Sequence, residues 1–224
     1  PVEPWIFWEK YLSNFRWDRF VSVPRRRSKD DISYDEIQTL RKTLKLVLRY
    51  QNKERFLSKY TDFPRINYLL QVFPDAKFLH ILRDGRAVSY SLFDRMIHGN
   101  FGFWDEREWW ISGWPDSWLE KWVSSGMSPI SFAAYMWKYF LMEIWEDSKD
   151  LPDEQYTEIK YEELVRFKQL TMEKVIDFCE LKNSQKLNKY LEKSFVKNMN
   201  YKWKKKLNDK QKNEIEETIV EQKY

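Results

Sequence analysis

Apolar residues change their spacing several times along the chain, and each spacing predicts a different element. Behind Ser33-Tyr34-Asp35-Glu36, which has the S-x-x-E form of a capping box, Ile37, Leu40, Leu44, Val47 and Leu48 recur at helical intervals. They predict a helix over 34–50. Arg55-Phe56-Leu57-Ser58-Lys59 reads as a short strand ending at a lysine, and Asn67 to Phe73 as a helix stopped by Pro74. Lys77-Phe78-Leu79-His80-Ile81-Leu82-Arg83 is a mostly apolar run without turn residues, the pattern of a strand buried on both faces. Asp84-Gly85 reads as a turn and Arg86 to Met96 as a helix, so strand, turn and helix make half of a βαβ unit.

Further along, His98 to Pro129 is rich in tryptophan (Trp104, Trp109, Trp110, Trp114, Trp118 and Trp122) and reads as an insertion without a clear period. Ser131 to Trp145 reads as a buried helix and Tyr156 to Lys160 as a second strand, followed by Tyr161-Glu162-Glu163-Leu164. Three more helices are predicted over 171–180, 184–195 and 208–222. The first stretch, Pro1 to Trp17, is aromatic and irregular, and 24–29 is a basic hinge. With no internal repeat or low-complexity segment, residues 1–224 read as one domain.

Composition narrows the classes. At 42% hydrophobic residues the chain can bury a core, which argues against disorder. Five Gly, eight Pro and a single Cys, Cys179, exclude collagen-like and disulfide-scaffold chains. One Cys and two His leave no credible metal site, and none is expected. The formal charge of +4 is mild and fits a small anionic ligand better than a long polyanion. No apolar run approaches the ~20 residues of a membrane span, and no signal peptide is visible. The first residue is Pro1, so the chain is expected to be trimmed at its N-terminus.

The candidate chemistry gathers around Arg83. It ends a predicted strand, the end at which open α/β sheets bind ligands, and the helix that follows offers N–H groups and a positive dipole end to an anion. Ser91 and Arg95, four apart, share a face of that helix. A hydroxyl and two guanidiniums around one spot suit a phosphate or sulfate. The plainer alternative is that Arg83 and Arg86 pair with Asp84 and Asp94 on a solvated surface.

Phe73 to Ser91 follows the signature F-P-x-A-K/R-F-I-x-I-x-R-D-G-R-A-x-x-x-S and resembles the sulfotransferases that use 3′-phosphoadenosine-5′-phosphosulfate (PAPS). More narrowly it is similar to the tyrosylprotein and bacterial carbohydrate branch. Ser58-Lys59-Tyr60-Thr61, Tyr161-Glu162-Glu163-Leu164 and Lys202-Trp203-Lys204-Lys205-Lys206-Leu207 resemble further elements of that family, in the family's order. The resemblance covers roughly Asn52 to Tyr224 and implies an α/β, P-loop kinase-like three-layer fold with a mainly parallel sheet flanked by helices.

It also implies transfer of a sulfuryl group from PAPS to a hydroxyl or amine of a carbohydrate, a protein tyrosine or a small molecule. In that reading Arg83 and Ser91 grip the 3′-phosphate, and Arg95 matches a further basic residue. Tyr161 lies by the adenine, and Lys206 belongs to the element that helps bind the nucleotide. Lys59 is the candidate for contacting the transferring group, with a surface lysine as the alternative. Glu3 is the candidate general base, against a frayed terminal residue. His80 is the second candidate base, against a satisfied core histidine. The tryptophans of 104–122 either line an acceptor cleft or pack the core.

The family's phosphosulfate loop, of the type G-x-P-R-S-G-T-T, has no counterpart in the chain, and truncation is the favoured explanation. A non-catalytic sulfotransferase-like nucleotide-binding module is the alternative. So is a single-stranded nucleic-acid binder, suggested by Arg25-Arg26-Arg27 and the lysines around Trp203. Bacterial relatives are cytoplasmic, and the Gly-poor, Lys- and Asn-rich composition tilts the expectation to that compartment. The tyrosylprotein branch is Golgi-anchored through an N-terminal helix.

Overall fold

The computed structural model describes residues 29–60, 64–99, 111, 114–182 and 184–220. A single 3₁₀ turn, Lys29–Asp31, leads into α1 (Tyr34–Gln51). The capping box at its start is formed: Ser33 Oγ accepts from the Glu36 N–H at 3.3 Å, and the Glu36 carboxylate accepts from the Ser33 N–H at 2.9 Å. Leu40 and Leu44 carry its buried face. Asn52 ends the helix at φ 50°, a left-handed conformation that Asn tolerates better than most residues. Leu40 packs on Tyr68 and Val72 of α2 (Ile66–Val72).

Residues 53–60, expected as a strand, are irregular, and Leu57 is 94% exposed. No neighbouring strand among the described residues supplies a ladder for them. The segment is held through side chains instead: Arg55 donates to the Cys179 carbonyl and pairs with Glu180.

The strands β1 (Phe78–Leu82) and β2 (Tyr156–Lys160) run parallel, with Phe78 opposite Tyr156 and Leu82 opposite Lys160. They form the one sheet among the described residues. The expectation that β1 is buried on both faces fails at Ile81, which is 55% exposed. Among the described residues the sheet has two strands, and no third strand shields that position.

Between the strands run α3 (Gly85–His98), α4 (Asp116–Ser124) and α5 (Pro129–Ser148). Gly85 is the first residue of α3 rather than part of a separate turn, with Asp84 as its N-cap. The helix α4 lies inside the segment expected to lack a period. Trp114, Trp118 and Trp122 in fact recur every four residues, a helical interval present in the sequence. Trp114 and Trp122 are buried against Phe132, Tyr135 and Tyr139 of α5, with Trp118 packed alongside. These three tryptophans pack in the core; Trp104, Trp109 and Trp110 lie outside the described residues.

After β2 come α6 (Tyr161–Arg166), α7 (Lys168–Phe178), α8 (Gln185–Lys193), α9 (Lys202–Lys206) and α10 (Asp209–Val220). The last two fold back onto the start of α3. Ala87 and Tyr90 of α3, Ile130 of α5, Trp203 of α9 and Ile215 of α10 form one buried cluster with Leu207. Lys138, buried in α5, donates to the Thr218 carbonyl of α10 at 3.0 Å. This return of the C-terminal helices carries residues 197–204 to the end of β1. No helix among the described residues is long and apolar enough to cross a membrane.

Candidate functional site

At the carboxyl ends of β1 and β2 lies a cleft of about 680 Å³. Two parallel strands deliver their ends side by side, and α3 leaves from the same place. Arg83, Arg86, Lys160 and Lys204 bring four cations to its lining, against two carboxylates, Asp84 and Glu162. Trp137 and Trp145, from α5, form an aromatic wall. A cleft with a cationic side and an apolar aromatic side suits an anion attached to a flat or amphipathic body.

Arg83 is half-buried and fixed on two sides. Its Nε donates to Asn200 Oδ1 at 2.8 Å, and its guanidinium lies 4.5 Å from the ring centre of Tyr161. Among the described residues its Nη nitrogens make no hydrogen bond, which leaves two coplanar donors for an oxyanion. Arg83 therefore does not form the carboxylate pair weighed against this role. Arg86 does: it binds Asp84 in a fork, Nε to Oδ1 at 3.0 Å and Nη2 to Oδ2 at 2.8 Å, and stacks 5.0 Å over Trp203. Burial pushes the Asp84 carboxyl up, but the bonds from Arg86 and its charge outweigh that and hold the group below its ordinary value. The same fork holds the Arg86 guanidinium above its ordinary value.

The start of α3 is not open to an anion in the way the sequence led one to expect. Asp84 Oδ1 accepts from the Arg86 N–H at 2.9 Å, and the Asp84 carbonyl accepts from the N–H groups of Ala87 and Val88. The helix supplies its own anion as a cap, so the side chains of the cleft carry the anion chemistry.

The other predicted residues are dispersed. Tyr161 joins Arg83, presenting its ring to the guanidinium, while its hydroxyl donates to the Lys197 carbonyl at 2.8 Å and accepts from the Met199 N–H at 3.1 Å. Ser91 and Arg95 are exposed on α3 and do not line the cleft. Lys59 is exposed on the irregular 53–60 segment, and Lys206 is exposed on α9; neither lines the cleft. Lys204, two residues before Lys206, does. Glu3 lies outside the described residues.

His80 belongs to a polar cluster on one face of the sheet. Its Nδ1 lies 3.0 Å from Glu158 Oε1 and 3.1 Å from the Tyr156 hydroxyl. Glu158 also accepts from Tyr156 and from the indole N–H of Trp145, each at 2.7 Å. Burial pushes the Glu158 carboxyl up; the bonds from Tyr156, Trp145 and His80, with the His80 charge, bring it below its ordinary value. The cluster braces Trp145 in the cleft wall, and it makes His80 a satisfied, part-buried histidine.

Sequence reasoning missed Trp137, Trp145, Lys160 and Asn200. Lys160 ends the correctly predicted β2, so the rule about strand ends applied to it as well. Asn200 gave no signal at all.

The family model described as "Sulfotransferase family" matches residues 5–185, most of the chain. The chain belongs to the sulfotransferase family. The match contains Phe73 to Ser91 and the Tyr161-Glu162-Glu163-Leu164 element, and it ends before Asn200 and the lysines of α9. No curated protein and no solved structure matches the chain. Membership makes this chain one of a family of transferases that move a sulfuryl group.

Proposed function

We propose that this sulfotransferase-family chain is a single domain that takes PAPS as donor and transfers its sulfuryl group to a hydroxyl or amine, in a P-loop-like fold of the tyrosylprotein and bacterial carbohydrate type. The observation that carries the donor assignment is Arg83. Its Nε is engaged, its plane is stacked on Tyr161, and its two Nη nitrogens make no hydrogen bond among the described residues, in a cleft lined by three further cations. Such a guanidinium matches a phosphate better than a neutral group, because two parallel N–H bonds need two anionic oxygens, and a terminal phosphate carries more charge than a diester.

The donor, when bound, supplies the activated sulfuryl group. The chain's part is to position and to neutralise charge, which is what in-line transfer between oxygens demands. Arg83 holds the 3′-phosphate, and Lys160 and Lys204 set the potential of the cleft. Tyr161 keeps the Arg83 plane fixed. Trp137 and Trp145 offer flat apolar surface to the adenine or to an aromatic or sugar acceptor. In this reading Ser91 and Arg95 contribute from the exposed side of α3, and Lys206 from α9. Lys59 and Glu3 serve the transferring group and the acceptor proton.

Calorimetric titration with adenosine 3′,5′-bisphosphate, with 5′-AMP as control, tests the reading. The bisphosphate binds more tightly than 5′-AMP, and Arg83→Ala removes that preference, costing about tenfold or more for bonds to a charged group. Equal binding of the two nucleotides by the folded parent chain overturns it.

A further inference from the structure

Arg83 is a donor in all its polar atoms, and Glu162, next to Tyr161, is an acceptor in both oxygens. They stand close enough to share one neighbour. Asn200 is that neighbour: its Oδ1 accepts from Arg83 Nε at 2.8 Å, and its Nδ2 donates to Glu162 Oε1. Glu162 Oε1 also accepts from the Asp84 N–H at 3.1 Å, which ties the carboxylate to the start of α3. Asn200 is 7% exposed, so neither of its bonds is readily exchanged for water. The backbone leading up to it is held as well. The Asn200 N–H donates to Asn198 Oδ1 at 3.0 Å, and the Tyr161 hydroxyl bonds to Lys197 and Met199.

An amide carries an acceptor and a donor side by side in one plane and no charge, so it satisfies a guanidinium on one edge and a carboxylate on the other. Without it the two charges face each other across a part-buried gap, and a carboxylate pairs with a guanidinium through the same Nη donors that an anionic ligand needs. We propose that Asn200 is a positioning residue that keeps Glu162 off Arg83. It passes the carboxylate's attraction on as orientation and leaves both Nη nitrogens for the ligand's phosphate. The inference rests on the assignment of Arg83 to a phosphate given above.

The test compares the parent chain with Asn200→Ala, Asn200→Asp and the double variant Asn200→Ala with Glu162→Gln. Each is titrated with adenosine 3′,5′-bisphosphate and with 5′-AMP, and thermal unfolding verifies the fold. Asn200→Ala weakens the bisphosphate about tenfold, the scale of one hydrogen bond to a charged group, with a much smaller effect on 5′-AMP. Adding Glu162→Gln restores most of the loss, because a neutral amide does not hold the guanidinium as a carboxylate does. Asn200→Asp keeps the shape of the side chain, and so the packing, and weakens the bisphosphate by placing a second carboxylate beside Arg83.

A merely structural role for Asn200 gives a loss that Glu162→Gln does not restore, and that result overturns the inference. Bisphosphate binding that ignores both Asn200 variants while Arg83→Ala abolishes it also overturns the inference and leaves the donor reading standing. No preference for the bisphosphate in the parent chain removes both.

Discussion

Gly85 sits where α3 begins, against the α5 helix. A Cβ built on it meets three atoms of the Trp137 ring at 2.7–2.8 Å. Ordinary contact of such carbons begins near 3.4 Å, so Gly85→Ala demands a shift of roughly half an ångström or more. The obstacle is a rigid indole plane rather than the tip of a flexible chain. Either Trp137 pivots as a whole or α3 and α5 part. Overpacking of this kind costs about 1–3 kcal/mol. Alanine returns some of that through its helix preference, up to ~1 kcal/mol in a helix interior and less in the first turn.

The expected net loss is therefore about 1–2 kcal/mol, or roughly 3–6 °C in Tm for a chain of this size. Urea unfolding at unchanged m-value measures it. Replacing Trp137 by leucine removes the obstacle, so the Gly85→Ala, Trp137→Leu double variant loses less than the two single losses added together. A Gly85→Ala chain as stable as its parent, or strictly additive losses in the cycle, would refute the close approach of helix to helix. The same substitution should also lower affinity for the bisphosphate, because Trp137 moves within the wall of the cleft.

Asp84→Asn keeps the cap of α3 and removes the charge that faces Arg86. The folded Asp84 carboxyl lies below its ordinary value, so its contribution is present above that ordinary value and is lost as pH falls through the folded value. The parent should exceed Asp84→Asn in stability at pH 6 by about 0.5–1 kcal/mol, the range for a partly exposed ion pair, and the gap should narrow as pH falls below the ordinary carboxylate range in urea titrations. Ser33→Ala removes half of the capping box of α1 and should cost about 1 kcal/mol in the same assay, while Ser33→Asp should cost little.

Local features of the chain were legible without a structure because the interactions that decide them span a turn or less. Ser33 and Glu36 cap a helix within four residues, and its apolar spacing predicted 34–50 against the observed Tyr34–Gln51. The second strand was read over its observed bounds, Tyr156–Lys160. The run from Phe73 to Ser91 carried the family resemblance, and the family match includes it. Where local pattern misled, a distant partner decided the outcome. Among the described residues, Arg55 to Lys59 has the look of a strand and no strand to pair with, and Ile81 has the look of a core residue but is 55% exposed. Asp84, read as a turn, became the anion at the helix start that an external ligand was expected to supply.

The cleft belongs wholly to the tertiary structure. Arg83 stood out by sequence, but the group that orients it is Asn200, 117 residues away. Asn200 lies just outside the Lys202 to Leu207 element and was not itself marked. It is brought there by the buried cluster that returns Trp203, Leu207 and Ile215 to Ala87 and Ile130. Periodicity reports which face of a helix or strand is apolar. Which donor meets which acceptor depends on where those faces pack, and that is settled only when distant segments bury each other.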